Sequence, residues 1–226
     1  MGRMMRITRD WTVFGSSLAL CLAALAETRG PFPVQPFGGL AAAAAALQTP
    51  FAEGDAHPPK ASNCAELLAA ADSRPGADSG PMKITRARCL IVQAVAGAKA
   101  SKSSTVSGLQ WDAAVLVQLP PELGINVSDE AVAKAKRSSA KGEPWTRTDP
   151  TIKAKGISPN EIEVTGTGFS ERVILWAAGD FNGDHKQDIL VQTLDTLPEG
   201  TYRNTRVFIL TRKSAASRFK VVRQLL

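Results

Sequence analysis

Two histidines, three cysteines and one tyrosine are all that this chain of 226 residues holds of those types. The shortage of histidine narrows catalysis first. A Ser-His-Asp or Cys-His mechanism needs an imidazole held beside its nucleophile. Only His57, in a proline-rich stretch, and His185, on an acidic loop, could supply one. No G-x-S-x-G, H-E-x-x-H or P-loop occurs. "GTGFSER" begins like a dinucleotide fingerprint, but Glu171 stands where the third glycine belongs, so the stretch reads as a turn between strands. Glu161 and Glu163 alternate as the exposed face of a strand would, and a carboxylate-dependent hydrolase stays open as a minor alternative. The expectation is a non-catalytic protein.

Cysteine is too sparse for a thiolate metal site, since no CxxC or His–Cys cluster exists. Stacking aromatics are scarce, and the formal charge of +6 is mild. Lys134, Lys136, Arg137 and Lys141 share one expected helix and read as a solvated face. Nucleic acid is therefore not an expected partner. A long apolar run is also missing. The stretch Trp11–Ala26 is about 16 residues and broken by Gly15, Ser16 and Ser17, against the ~20 needed to span a bilayer.

That stretch follows Arg3, Arg6 and Arg9 and ends in Ala24-Leu25-Ala26 before Glu27, the pattern of an export signal over residues 1–26. Leu20 before Cys21 does not suit a lipoprotein signal. The expected location is periplasmic or extracellular, with membrane contact only if the segment is retained. Cleavage would remove three arginines and Asp10, taking the charge from +6 to +4. It would leave Cys64 and Cys89, an even pair that reads as one disulfide in an oxidising compartment, or as two buried thiols. Closing that loop would contribute roughly 3 kcal/mol.

Residues 27–61 are rich in proline, glycine and alanine and read as a disordered linker. An α+β domain over 62–226 follows, with a helical part at 62–141 and a sheet part at 150–226. Ser62 or Asn63 caps a helix through "CAELLAAAD", and Thr85 caps a second with Cys89, Val92 and Ala96 on one stripe. "LQWDAAVLVQLPPEL" suits either a strand or a helix before Pro120 and Pro121 end it. Ser128 opens a third helix, acidic at its start and basic at its end. Then come about five strands, "EIEVTG", "ERVILWAAGD", "DILVQTL", "TRVFILTR" and "FKVVRQ", expected to form an antiparallel sheet against which the helices pack. The uninterrupted runs Val173–Trp176 and Val207–Leu210 mark central strands.

The stretch written for chemistry is "GDFNGDHKQDILV", residues 179–191. Asp180, Asn182, Asp184 and Asp188 put side-chain oxygens at positions 1, 3, 5 and 9, and Lys186 at position 7 can offer its carbonyl. A hard divalent cation wants such a mixture of oxygens, and a curled loop turns alternate residues to one side. Without a cation, two carboxylates ~4 Å apart repel by about 4 kcal/mol at an effective dielectric near 20. The rival reading is a two-residue hairpin turn at Asn182-Gly183, which would throw Asp180 and Asp184 onto opposite faces. An EF-hand does not fit, because Val191 stands at position 12 and the flanks read as strands.

The loop resembles the calcium loop of FG-GAP repeats, found in integrin alpha-chain propellers and in bacterial secreted proteins of the VCBS type. The likeness covers about residues 172–194 in a single copy, so no propeller follows from it. It implies Ca²⁺ ligands at Asp180, Asn182, Asp184, Lys186 (carbonyl) and Asp188. His185 replaces the glycine usual at position 6, where the backbone takes a positive φ, so strain is expected there. The resulting expectation is an envelope module that binds an unknown protein or glycan partner, its sheet stiffened by Ca²⁺. A metal-free structural domain is the alternative.

Overall fold

A computed structural model of the protein describes residues 32–37, 64–71, 80–125, 128–197 and 202–226. The expected signal at 1–26 lies outside these residues, as does most of the expected linker. The fold is α+β, and its centre is an antiparallel meander. Six strands follow one another in space as in sequence: β3 (Lys153–Ser158), β4 (Glu161–Gly166), β5 (Phe169–Gly179), β6 (Lys186–Thr196), β7 (Arg203–Thr211) and β8 (Lys220–Gln224). Two short pieces complete an eight-stranded sheet. β1 (Gln35–Pro36) pairs antiparallel with the end of β5, and β2 (Ser103–Ser104) pairs parallel with the start of β6. Five strands were expected. The five read from the sequence are β4 to β8, and the additions are those with no apolar alternation: β3 is "KAKGIS" at a sheet edge, and β1 and β2 have two residues each.

Two long strands are apolar on both sides because the sheet is covered on both faces. On one face lies α2 (Gly80–Gly97), which presents Ala87, Ile91 and Val95 to Ile174, Trp176, Leu190, Val207 and Ile209. The other face is covered by the chain between 106 and 152, which contributes Trp111, Val115, Leu116, Leu119, Leu123 and Trp145. Opposite them stand Ile162, Val164, Val173, Leu175, Val191, Phe208 and Leu210. Each fully buried aliphatic or aromatic side chain contributes roughly 1.5–3 kcal/mol. A bulge in β5 serves both cores: Leu175 pairs with Val191 and Ala177 with Leu190, leaving Trp176 as the extra residue. Trp176 and Ala177 therefore face the α2 side together, while Leu175 and Ala178 face the other.

The ambiguous stretch before Pro120 forms neither a strand nor an α-helix. It is a 3-10 helix, η1 (Ala113–Gln118), with Asp112 accepting a bond from the Ala114 amide, and a second 3-10 turn, η2 (Pro121–Leu123), follows. α3 (Asp129–Ala140) starts where Ser128 caps it, and a single turn, α4 (Trp145–Thr148), sends Trp145 into the core. α2 begins at Gly80, ahead of the expected Thr85 cap. Cys64 on α1 (Cys64–Ala71) and Cys89 on α2 are placed as a disulfide, Cα atoms 5.2 Å apart, beside a small cluster with Leu67 and Met82.

Inside the stretch expected as linker, residues 32–37 lie against the sheet. The Phe37 amide donates to the Trp176 carbonyl, Val34 is buried, and Phe32 and Ser101 exchange backbone bonds. Composition hides this, because Pro33 and Pro36 are tolerated only at a sheet edge, and an edge is where they sit. Residues 38–63 lie outside the described residues.

Candidate metal centre

The ladder between β5 and β6 closes at Gly179 opposite Asp188, so the connection is a broad loop and not a two-residue turn at Asn182-Gly183. The loop is shaped from within by its own acids. Asp180 Oδ1 accepts from the Gly183 amide at 2.7 Å, and Oδ2 accepts from the His185 amide at 3.0 Å. Asn182 Oδ1 accepts from the Asp184 amide and Asp184 Oδ1 from the Lys186 amide, both at 2.8 Å. Each bond is an Asx turn or its close relative, and together they curl the backbone toward one side. Gly183 takes φ 84° and His185 takes φ 66°, the left-handed conformation that a histidine adopts only with strain.

The curl brings three acids together. One carboxylate oxygen from each of Asp180, Asp184 and Asp188 lies within 4.8 Å of the others, close enough to hold a metal ion. Asp180 and Asp188 are buried, and Asp184 is exposed at the mouth. Asn182 sits on the same loop, and Lys186 opens β6 with its ammonium in solvent. The His185 ring lies 3.7 Å from Asp180 Oδ2 and is more than half exposed.

Asp188 is the anomaly. It is fully buried, Oδ2 accepts a long 3.3 Å bond from the Phe181 amide, and Oδ1 has no partner at hydrogen-bond geometry among the described residues. Burial pushes its carboxyl up to about 6, against the pull of Thr211 and of the Phe181 amide, with Asp184 and Asp180 adding to the rise. An orphaned buried oxygen is a rare and costly state. Three carboxylates with one oxygen each within 4.8 Å are a donor set that fits a hard divalent ion, with water completing a shell of six to eight oxygens.

A segment the sequence reading passed over supports the loop from behind. Lys99 exchanges both backbone bonds with Asp180, at 3.1 and 3.0 Å. The amides of Lys102 and Ser103 donate to the His185 carbonyl, and the Ser104 hydroxyl donates to Gln187 Oε1 at 2.5 Å. Both ends of the acidic loop are thus tied to residues 99–104. "KASKSS" has no apolar period and no motif, so its sequence carries no signal of this role.

The far end of the same strand pair holds a second charged cluster that sequence reasoning missed. Glu171 pairs with Asp195 across β5 and β6, both buried. Arg206 on β7 donates to Asp195 Oδ1 at 3.1 Å and to the carbonyls of Glu122, Leu123 and Gly124, and lies 3.7 Å from Glu171 Oε1. Neither Glu171 oxygen has a hydrogen-bond partner among the described residues. Burial, then the Asp195 charge, holds the Glu171 carboxyl well above the usual range, despite the opposing pull of Arg206. Near the β7–β8 connection, a hollow of about 480 Å³ is lined by Arg212, Lys213, Arg218 and Lys220. Arg212 is buried and bonded to the Thr105 carbonyl and Gln118, while Arg218 is exposed and donates to the Gly142 carbonyl.

No protein-family model matches this chain, and neither does any curated protein or solved structure. Among the described residues, no helix is long and apolar enough to cross a membrane.

Proposed function

We propose that this is an exported, non-catalytic interaction module in which loop 180–188 binds one Ca²⁺ and holds β5 and β6 in fixed register for a partner. Asp180, Asp184 and Asp188 supply carboxylates, Asn182 an amide oxygen, and Lys186 a backbone carbonyl. The observation that carries this reading is the orphaned Asp188 Oδ1, buried beside two further carboxylates. The likeness of "GDFNGDHKQD" to an FG-GAP calcium loop agrees with it, and so does the preference of Ca²⁺ for irregular oxygen shells over the strict octahedron of Mg²⁺. The placement of Cys64 and Cys89 as a disulfide is compatible with export to the periplasm or beyond. The partner is a protein or a glycan of the bacterial envelope.

The metal has a structural role in this reading. It neutralises three carboxylates, removes the repulsion between them, and fixes both ends of the loop. Isothermal calorimetry of the folded protein with CaCl₂ tests it. One site per chain is expected, weakened at least 10-fold by Asp184→Ala, since one charged ligand is worth more than the ~1.4 kcal/mol of a decade. Absence of binding heat together with absence of any thermal shift in the native protein would leave a metal-free structural domain.

A further inference from the structure

We infer that cation binding at loop 180–188 and docking of the N-terminal segment 32–37 are a single linked event, so that calcium controls whether this strap is held on the sheet. The inference rests on the metal reading above and adds what the metal regulates.

The strap is held at two places, and both lie next to the loop. Along β5, the β4 ladder stops at Glu161 opposite Ile174, and the strap takes over the vacated edge. Gln35 pairs with Ala178 and Pro36 with Ala177, and the Phe37 amide donates to the Trp176 carbonyl at 2.8 Å. Val34 closes on Gly179, where a Cβ would meet its methyls at 3.3 and 3.4 Å and the Ala98 Cβ at 3.5 Å. Gly179 is the residue before Asp180. The second hold is Ser101, which receives the Phe32 amide at 3.3 Å and donates its own to the Phe32 carbonyl at 2.9 Å.

Ser101 is also the midpoint of the segment that carries the loop. Two residues before it, Lys99 is bonded twice to Asp180, and the two residues after it donate to the His185 carbonyl. A continuous series of backbone bonds therefore runs from the acidic loop through Lys99–Ser103 to Phe32. If the loop opens, Asp180 and His185 leave residues 99–103, and Ser101 and Gly179 no longer present a fixed surface to the strap. Left to itself the strap has a weak hold, a two-residue ladder and two apolar side chains, and strand pairs that short are not stable alone. The empty loop has a reason to open, with three carboxylates held within 4.8 Å. A bound cation removes that reason and closes the loop against Lys99–Ser103.

Linkage makes the coupling reciprocal: whatever factor calcium adds to strap docking, the docked strap adds to calcium affinity. The test uses the full chain and two readouts. Hydrogen exchange of the Phe32 and Phe37 amides is followed with CaCl₂ and with EDTA. Calcium affinity is measured, at high ionic strength to screen the added charge, for the native protein and for Val34→Lys, which breaks the strap without replacing a loop residue. Couplings between sites in proteins fall in a range of roughly 5–150-fold. Calcium is expected to slow exchange at both strap amides by about 10-fold or more, and Val34→Lys to weaken calcium binding by about the same factor. Calcium binding to the native chain with unchanged strap exchange overturns the coupling and leaves the metal site standing. No calcium binding to the native chain overturns both. If Val34→Lys does not fold, the exchange comparison in the native protein still decides.

Discussion

β5 and β6 carry carboxylates at both ends, and the two ends manage that charge in opposite ways. At the Glu171–Asp195 end the counter-charge is covalent: Arg206 reaches Asp195, lies near Glu171, and ties both to the carbonyls of η2. With two acids and one guanidinium, burial and the Asp195 charge hold the Glu171 carboxyl well above its usual range. At the Asp180–Asp188 end three acids converge without a guanidinium among the described residues. Buried oxygens without a hydrogen-bond partner occur at both ends, on Asp188 here and on Glu171 there, so the difference lies in the counter-charge. One cluster is closed and belongs to the core. The other is incomplete and open at Asp184, as a site for an ion from solution would be. A count of acidic residues does not separate a structural cluster from a binding site; the source of the positive charge does.

The largest blow to this contrast is Arg206→Ala. It strands two buried carboxyls and three carbonyls at once, and breaking a buried ion pair costs about 3–5 kcal/mol. Urea unfolding should show that loss equally with calcium and with EDTA. A calcium-dependent loss would mean that the two ends are not independent.

Next in size is Asp188→Asn. Calcium at a hundred times its Kd should stabilise the native protein by about 2.7 kcal/mol, and the variant should lose nearly all of that. In EDTA the variant should be as stable as the native chain or more so, because a buried carboxyl beside two others is gone. Thermal melts in the two buffers give both numbers.

Glu171→Gln probes the closed end through pH. The folded-state pKa is raised, so above the ordinary value of 4.5 the unfolded chain releases a proton that the folded chain keeps. Stability therefore falls as pH rises from that value until the folded group itself ionises, with a slope of up to about 1.4 kcal/mol per pH unit from this one group. The glutamine variant should flatten that slope in urea titrations run from acid to neutral pH. An unchanged slope would assign it elsewhere.

The smallest expected effect belongs to His185→Gly. Its φ of 66° costs a histidine strain that glycine avoids, and the gain, offset by glycine's freer unfolded state, should stay within about 1 kcal/mol. Calcium affinity should change little, as relief of the histidine's strain in the closed loop is offset by the greater ordering that a glycine requires.

The open end was legible in the sequence and the closed end was not. Asp180, Asn182, Asp184 and Asp188 fall within nine positions, so local spacing alone suggested convergence. Arg206 meets its carbonyl partners across 82 to 84 residues, and no local pattern encodes such a contact. Strands β5 to β7 were legible because two covered faces demand continuous apolar runs, β4 because Ile162 and Val164 alternate with polar residues, and α3 because Ser128 caps it. β3 was hidden by its lysines. The strap was hidden by prolines that read as disorder, although Val34 and Phe37 are the two apolar residues that dock it. Residues 99–104 act through their backbone amides and carbonyls, which every sequence possesses.

The most direct measurement is amide NMR of the labelled protein during addition of calcium. The expected result is a saturable change at the amides of Asp180 to Asp188 and of Lys99 to Ser104, with Glu171, Asp195 and Arg206 unmoved. Resonances of the acidic loop that stay in place at millimolar calcium would contradict the account.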